Sequence, residues 1–437
     1  MNRLWLVFVL TVFAATPLRA AVEIQEVVSP GGINAWLVEE HSIPFVALEI
    51  RFKGGASLDP DDKRGATNLM TGLIEEGAGD LDARAFAEAR DALAASFDFD
   101  VWDDAFSVSA RFLTENQDQA VALLREALVN PRFDDDSLER VRGQVLSIIR
   151  SDATDPNTIA NRTLDEMVFG DHPYATSRDG TLDGVSALTR DDVVAAHRAV
   201  LARDRIYVGA SGDITAEQLG ALLDALLGDL PATGASLPED VEPRVEGGVT
   251  VVPFETPQSV ALFGHEGIPR DDPDFFPAFV ANQIFGGNGR QSRLSFEVRE
   301  ERGLTYSVGS YLVNFDHADL LLGQFASAND RVAAAIDVVK EEWTKIAAEG
   351  VTETELEEVK TYLTGAYPLR FDGNGPIARI MVGMQTVGLT PDYIATRNDQ
   401  VNAVTLEDVK RVAERIFQPE NLHFVVVGQP EGLESSN

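Results

Sequence analysis

Two stretches of this chain hold residues whose types and spacing could do chemistry. The first is FGGNGRQSRLSFEVREERGLTYSVGS, residues 285 to 310, which carries Arg293, Glu297, Arg299, Arg302 and Tyr306. A guanidinium and a phenol are hydrogen-bond donors that can stabilise an oxygen gaining negative charge. The same residues fit a plainer reading, in which Arg299 pairs with Glu297 or Glu300 for about 0.3–0.5 kcal/mol and Tyr306 alternates with Leu304 and Val308 as a half-buried strand residue. The second stretch is GATNLMTGLIEEG, residues 65 to 77, ending in Glu75 and Glu76. Two carboxylates with no nitrogen ligand beside them suit a solvated helix end better than a metal site. The six histidines are His41, His172, His197, His265, His317 and His423. None stands three or four residues from another, so none forms a helical pair of zinc ligands. The chain has no cysteine, which removes thiol nucleophiles, zinc thiolates and iron–sulfur clusters. No G-x-S-x-G elbow, G-x-x-x-x-G-K-[ST] loop or strand-linked G-x-G-x-x-G is present, and Gly287-Asn288-Gly289 is a lone short pattern.

The elements that position these residues come in two rounds. The first half opens with the strand-like VEIQEVVSP and INAWLVEEH, then the run from Phe45 to Lys53 and the turn Asp59-Pro60-Asp61-Asp62. A helix after Gly65 and another from Ala83 to Ala95 precede the alternating FDFDVWDDAFSVSARF and a helix from Asn116 to Leu128. The second half repeats the order. Gly248 to Phe254 and Ser259 to Gly264 are strand-like, Asp274 to Phe285 and Ser292 to Arg302 helical, LTYSVGSYLVNF and DLLLGQFAS strands, and Asp330 to Ala348 an amphipathic helix. Gly286, Gly287 and Gly289 read as a flexible loop entering the helix of Arg299, Gly303 as its C-terminal cap, and Leu304 to Leu312 as a strand. The ends of the halves correspond: LTRDDVVAAHRAVLARDRIYVGASGD matches VTLEDVKRVAERIFQPENLHFVVVGQ, each a capped helix, a polar link and a β-branched strand ending at Gly. LERVRGQVLSIIR likewise matches LEEVKTYLTGAY. A duplication explains four matching blocks. The seam PATGASLPEDVEPRVEGG, residues 231 to 248, is rich in Pro, Gly and acid and reads as an extended, solvated linker. The fold expected is α+β, two homologous halves, residues 21–230 and 249–437, each an antiparallel sheet with helices packed on one face.

The setting of residues 65 to 77 resembles the pitrilysin/insulinase-like zinc peptidases, the family that includes mitochondrial processing peptidase, over about residues 22 to 430. Those enzymes carry His-x-x-Glu-His in the corresponding helix; here the three positions are Asn68, Thr71 and Gly72, which cannot hold zinc or act as its base. The family's third ligand, a Glu in a later helix, falls in Gln144 to Ile149, with Ser147 or Ile148 at the position. His172-Pro173-Tyr174 also matches a recurrent family stretch, although turn chemistry alone accounts for it. The resemblance implies a clam-like chamber between the halves. It implies too that Arg299 and Tyr306, at the spacing of the family's Arg/Tyr pair, reach across the cavity to a zinc site in the opposite half or subunit. The chain is thus expected to bind no cofactor itself, with zinc on a homologous partner subunit in a heterodimer, and to present the Arg/Tyr pair to unfolded peptides. An inert peptide-binding scaffold or chaperone is the alternative.

Bulk properties limit the partners. Lys and Arg number 36 against 71 Asp and Glu, a formal charge of −35, so nucleic acid and anionic membranes are poor partners. MNRLWLVFVLTVFAATPLRA has an Arg, an apolar run from Leu4 to Ala15 and a Leu18-Arg19-Ala20 end, the three parts of a secretory signal peptide over residues 1–20. That run is shorter than the ~20 apolar residues a spanning helix needs. Export, in a bacterial periplasm or beyond, is expected.

Overall fold

The computed structural model describes residues 23–287 and 289–436; the expected signal peptide lies outside the described residues. Eight strands belong to the first half: β1 (Gln25–Val28), β2 (Asn34–Glu39), β3 (Phe45–Lys53), the short pair β4 (Gly77–Ala78) and β5 (Leu81–Asp82), β6 (Ser96–Val101), β7 (Ala105–Leu113) and β8 (Ile206–Gly212). The second half adds β9 (Gly248–Pro253), β10 (Gln258–Glu266), β11 (Val308–Asn314), β12 (Asp319–Ala328) and β13 (His423–Gly428).

The duplication is written in the topology. The first sheet runs β1-β2-β8-β3-β7-β6, and the second, read from its other edge, runs β9-β13-β10-β12-β11. With β1 set aside, every strand has a counterpart. In each sheet the last strand of the half lies parallel to the first, β2 with β8 and β9 with β13, and antiparallel to the next. Local signals explain the matching ends. The helices Arg190–Val200 and Leu406–Ile416 both open on a capping box, Thr189 with Asp192 and Thr405 with Asp408, which satisfies backbone donors at both starts. Each then hands the chain through one 3-10 turn to the inserted strand.

The expected helices cover each sheet, and the free face of each receives a helix from the other half. Pro156–Phe169, from the first half, packs on β10 and β13; its Ala160, Leu164 and Val168 share a buried cluster with Leu262, Val425 and Val427. Asn374–Thr386, from the second half, lies across β2, β3 and β8, where Ile377, Met381 and Met384 pack on Trp36. The two exchanged helices are themselves counterparts, each following one of the matched helices Asp135–Asp152 and Glu353–Ala366.

Residues 231–247 contain neither helix nor strand, but they are pinned rather than free in solvent. Val241 N–H donates to His317 O at 2.9 Å and Arg244 N–H to Val168 O at 3.0 Å, while Val241 and Val245 pack against the cluster under the first exchanged helix. The hairpin between β11 and β12 closes the same seam. Asp316 N–H donates to the Asp104 carboxylate at 3.0 Å, Lys53 pairs with Asp316 at 3.3 Å, and the Phe315 and Tyr174 rings lie 5.0 Å apart.

Candidate functional site

The helix Ala66–Leu73 is set in place by buried polar bonds at its start. Gly65 sits at φ +96°, a left-handed conformation suited to glycine, and a Cβ there would come 2.7 Å from Asp179 O. The Asp59 carboxylate accepts from Gly65 N–H at 3.0 Å, from Thr67 N–H at 3.0 Å and from the Thr67 hydroxyl at 2.5 Å. Burial pushes the Asp59 carboxyl up, and those bonds work against it. Arg64, itself buried, donates to Pro173 O and Thr176 O, each at 2.9 Å, and reaches Asp103 at 3.3 Å, tying this helix start to the turn Pro173–Ala175. The His172-Pro173-Tyr174 stretch is therefore a turn whose Tyr174 hydroxyl donates to Asp104.

The three motif positions lie on this well-anchored helix, and each has structural work. Asn68 Nδ2 donates to Asp179 at 2.8 Å. The Thr71 hydroxyl donates back to Thr67 O at 2.8 Å. Gly72 faces the helix Asp135–Asp152 so closely that a Cβ would stand 2.8 Å from Val141 Cγ1. Further along that second helix, Ser147 and Ile148 are exposed. Glu75 and Glu76 close the first helix in ion pairs, Glu75 with Arg90 at 2.8 Å and Glu76 with Arg140. The histidines are spoken for individually: His197 bonds Leu128 O, His265 bonds Glu266 O, His423 bonds Glu246 O, His41 bonds Asp213, His172 bonds Glu239 O and His317 bonds Asp240. Among the described residues no three His, Asp or Glu side chains are grouped to hold a metal ion.

In the second half the helix Phe275–Asn282 runs into a π-helical turn over Gln283–Gly287, and a second π-helical segment covers Ser295–Glu301. Gly286 and Gly287 therefore lie in a helical turn, which corrects the expectation of an open glycine loop. Gly286 is buried because strand β11 comes close; a Cβ would meet Ser310 Oγ at 2.3 Å. Gly289, at φ +52°, begins the next turn. The segment carrying Arg299 is fixed by Arg293, which donates two bonds to Glu355 at 2.5 and 2.7 Å. Burial acts to raise the Glu355 carboxyl, but Arg293 and Thr352 overcome it and leave the group at about 2. Gly303 at φ +60° ends the segment, with Leu304 N–H bonded to Val298 O at 2.9 Å and Gly303 N–H to Arg299 O at 3.0 Å, so a left-handed glycine satisfies the last carbonyls of the π-helical turn.

Arg299 and Tyr306 are brought together. The guanidinium carbon sits 5.1 Å from the Tyr306 ring centroid, a cation–π contact. Arg299 also pairs with Glu300 at 3.5 Å, as the plainer reading expects. Tyr306 departs from it: the residue precedes β11, is not part of a strand, and is 81% exposed. Its hydroxyl makes no hydrogen bond among the described residues, which leaves a donor facing outward beside a stacked cation. Phe296, on the same π-helical segment, is 54% exposed. Sequence reading missed this exposed apolar side chain and the π turns; such turns recur at functional sites, but a single inserted residue leaves no periodic signal.

Comparison with known proteins agrees with this anatomy. The family description "Insulinase (Peptidase family M16)" matches residues 35–181, and "Peptidase M16 inactive domain" matches residues 187–363. The chain is 26% identical over 392 residues to a Helicobacter pylori protein named non-peptidase homolog YmxG, covering 89% of this chain and 90% of that one. It is also 26% identical over 395 residues to an uncharacterized zinc protease of Mycobacterium leprae, covering 89% and 88%. A crystal structure described as a peptidase M16 inactive domain from Pseudomonas fluorescens superposes with a TM-score of 0.87 at 26% identity, over 94% of this chain and 100% of that one. A Helicobacter pylori protease structure, 15% identical with a TM-score of 0.82, shares the fold over 93% of this chain and 99% of that one. The fold is the two-halved, clam-like α+β architecture of these proteins, and the chain belongs to the insulinase, or M16, peptidase family.

Proposed function

We propose that this chain is a catalytically inert member of the family that serves as the zinc-free subunit of an exported heteromeric peptidase. A homologous subunit would supply the zinc and the general base. This chain would complete the chamber and offer Arg299 and Tyr306 to the scissile peptide bond of an unfolded substrate. One contrast carries the reading. The motif helix is kept and anchored while its three functional positions hold Asn68, Thr71 and Gly72, yet Tyr306 stands exposed under the Arg299 guanidinium, its hydroxyl without a partner among the described residues. A side chain maintained only for packing would be covered.

The chemistry follows from the donors. As a peptide carbonyl is attacked, its oxygen gains charge, and a phenol and a guanidinium held beside it are worth more there than in the ground state. Phe296, on the same π-helical segment as Arg299, is an exposed apolar side chain available to a substrate. The substrate would lie extended, bound largely through its main chain. The name of the Helicobacter pylori relative supports the inert part of this reading; the signal-peptide pattern of residues 1–20 supports the exported part.

The test measures peptidase activity and bound zinc on this chain alone, on a homologous zinc-bearing subunit from the same source alone, and on their mixture. Cleavage by the mixture only, with zinc following the second subunit, is the expected result. Cleavage and zinc binding by this chain alone would overturn the proposal. Stable complex formation with no gain in activity would favour the inert scaffold instead.

A further inference from the structure

The helices Phe275–Asn282 and Tyr393–Ala403, with the far end of Asn374–Thr386, enclose a cleft of about 420 Å³. Its lining includes Arg270, Arg370, Arg379 and Arg397 and not one Asp or Glu. That is the reverse of the chain as a whole, where acidic residues outnumber basic ones by 71 to 36. Elsewhere in this half arginines hold carboxylates: Arg293 with Glu355, Arg411 with Asp274 and Arg415 with Asp272. None of the four cleft arginines forms an ion pair among the described residues.

Aromatic rings hold two of these cations in place. Arg270 lies 4.1 Å over Phe275 and 5.7 Å from the Tyr393 ring, and donates to the Tyr393 hydroxyl at 3.1 Å. Arg397, only 7% exposed, lies 4.5 Å over Tyr367 and 5.8 Å from Phe279, with one Nη bonded to Leu363 O at 3.0 Å. Stacking occupies the faces of a guanidinium and leaves its in-plane donors for an anion, which a carboxylate can take two at a time. Arg370 and Arg379 are exposed at the mouth, and Ile380, Met384 and Leu389 add an apolar wall. Cations gathered against apolar walls repel one another and focus a positive field. Arg397, the one buried member, meets only neutral acceptors among the described residues, including Leu363 O and Asn398 Oδ1 at 3.1 Å. A buried charge without a counter-charge is costly, so a ligand bringing a carboxylate would complement the cleft. The volume suits a ligand-sized guest.

We propose that this cleft binds a carboxylate borne on an aromatic or branched apolar group, from either a peptide C-terminus ending in such a residue or a free aromatic acid. The site stands apart from Arg299 and Tyr306 and does not depend on the peptidase-subunit reading. Isothermal titration of the full chain against four probes tests it: a pentapeptide ending in Gly-Phe with a free carboxylate, N-acetyl-phenylalanine, N-acetyl-phenylalanine amide, and acetate. The two phenylalanine carboxylates should bind at least tenfold more tightly than the amide or acetate. A further gain for the pentapeptide identifies a peptide end as the source, and equal affinity identifies a free acid. Binding of the amide as tightly as the acid, binding of acetate as tightly as either, or no binding of any probe at millimolar concentration would each overturn the proposal. The variant Arg370→Gln changes an exposed side chain that pairs with no carboxylate among the described residues, whereas Arg379 also faces the buried Glu49. Arg370→Gln should keep the wild-type melting temperature while losing at least tenfold in affinity. Wild-type affinity in that variant would also overturn it. Arg162→Gln, on the first half, is the control that should bind as wild type.

Discussion

Val141 Cγ1 stands 2.8 Å from where a Cβ on Gly72 would sit. The contact joins the helix of the vanished motif to the helix that faces it, and it means the motif cannot be restored by changing its three residues alone. Valine is stiff about χ1, and adding volume against it costs about 1–3 kcal/mol by overpacking. Gly72 is itself exposed, where a helical Gly gains up to ~1 kcal/mol on becoming Ala, so a net loss for Gly72→Ala in urea unfolding would show that the Val141 contact outweighs that gain. Since Val141 is buried, Gly72→Ala/Val141→Ala should be less destabilised than the two single changes summed. An Asn68→His/Thr71→Glu/Gly72→His chain should take up no zinc in equilibrium dialysis while Val141 stays and Ile148 is not a carboxylate. Stoichiometric zinc in that triple variant would sink the packing argument.

Tyr306 and Arg299 offer a cleaner functional probe because changes there touch little else. Tyr306→Phe removes one hydroxyl from a residue that is 81% exposed, so stability should move by less than about 0.5 kcal/mol. In the assembled peptidase, loss of one donor to the developing oxyanion should lower kcat about 10²-fold with little change in KM. Arg299→Lys keeps the charge but not the planar fork or the stacking and should fall between Tyr306→Phe and wild type. Unchanged kcat in both variants would point to the inert scaffold.

How far the sequence could be read depended on whether a signal was local. The matched helix–strand ends were legible because capping boxes and β-branched runs are decided within a few residues, as at Thr189 and Thr405. Tyr306 was misplaced because Leu304, Tyr306 and Val308 alternate like a strand. There the Thr305 hydroxyl, 2.6 Å from Ala326 O and 2.9 Å from Ser307 O, takes acceptors the ladder would have used, and β11 begins only at Val308. Gly286 was placed in a loop, not the helical turn it occupies, because a glycine demanded by close approach to Ser310 looks, in sequence, like a loop glycine. The arginine cleft was invisible for a different reason: its members run from Arg270 to Arg397, and only packing shows that carboxylates were kept out.

Glu355 gives the pH prediction. Its carboxyl is held at about 2 in the folded chain, below its ordinary 4.5. A depressed carboxyl stabilises the fold above its unfolded value, and that contribution is lost as pH falls through the folded one. Partial exposure screens the pair, so about 1–2 kcal/mol is the sensible scale. Wild-type stability should therefore drop between about pH 4.5 and pH 2, and Glu355→Gln should show a smaller drop over that window when the two are followed by urea unfolding. The variant also leaves Arg293 without its carboxylate at 2.5 Å, so the Arg299 segment should lose protection from hydrogen exchange at neutral pH. Parallel pH profiles for the two proteins would contradict the assignment.

Each exchanged helix packs on the other half's sheet, which predicts that the two halves unfold as one cooperative structure, an outcome separable from a model of independent domains. Met381 and Leu164 are both buried, each on a helix that covers the other half's sheet. Truncating either to Ala should cost about 2–5 kcal/mol through lost burial and the cavity left behind. The informative readout is where the loss is felt. Met381→Ala, a change in the second half, should speed hydrogen exchange in β3 and β8, against which its helix packs. Leu164→Ala, a change in the first half, should do the same in β10 and β13. If the halves were independent, each substitution would loosen only the strands of its own half. Loss confined in that way would show that the crossing helices are surface contacts, and that the chamber can open at the seam with little cost to either core.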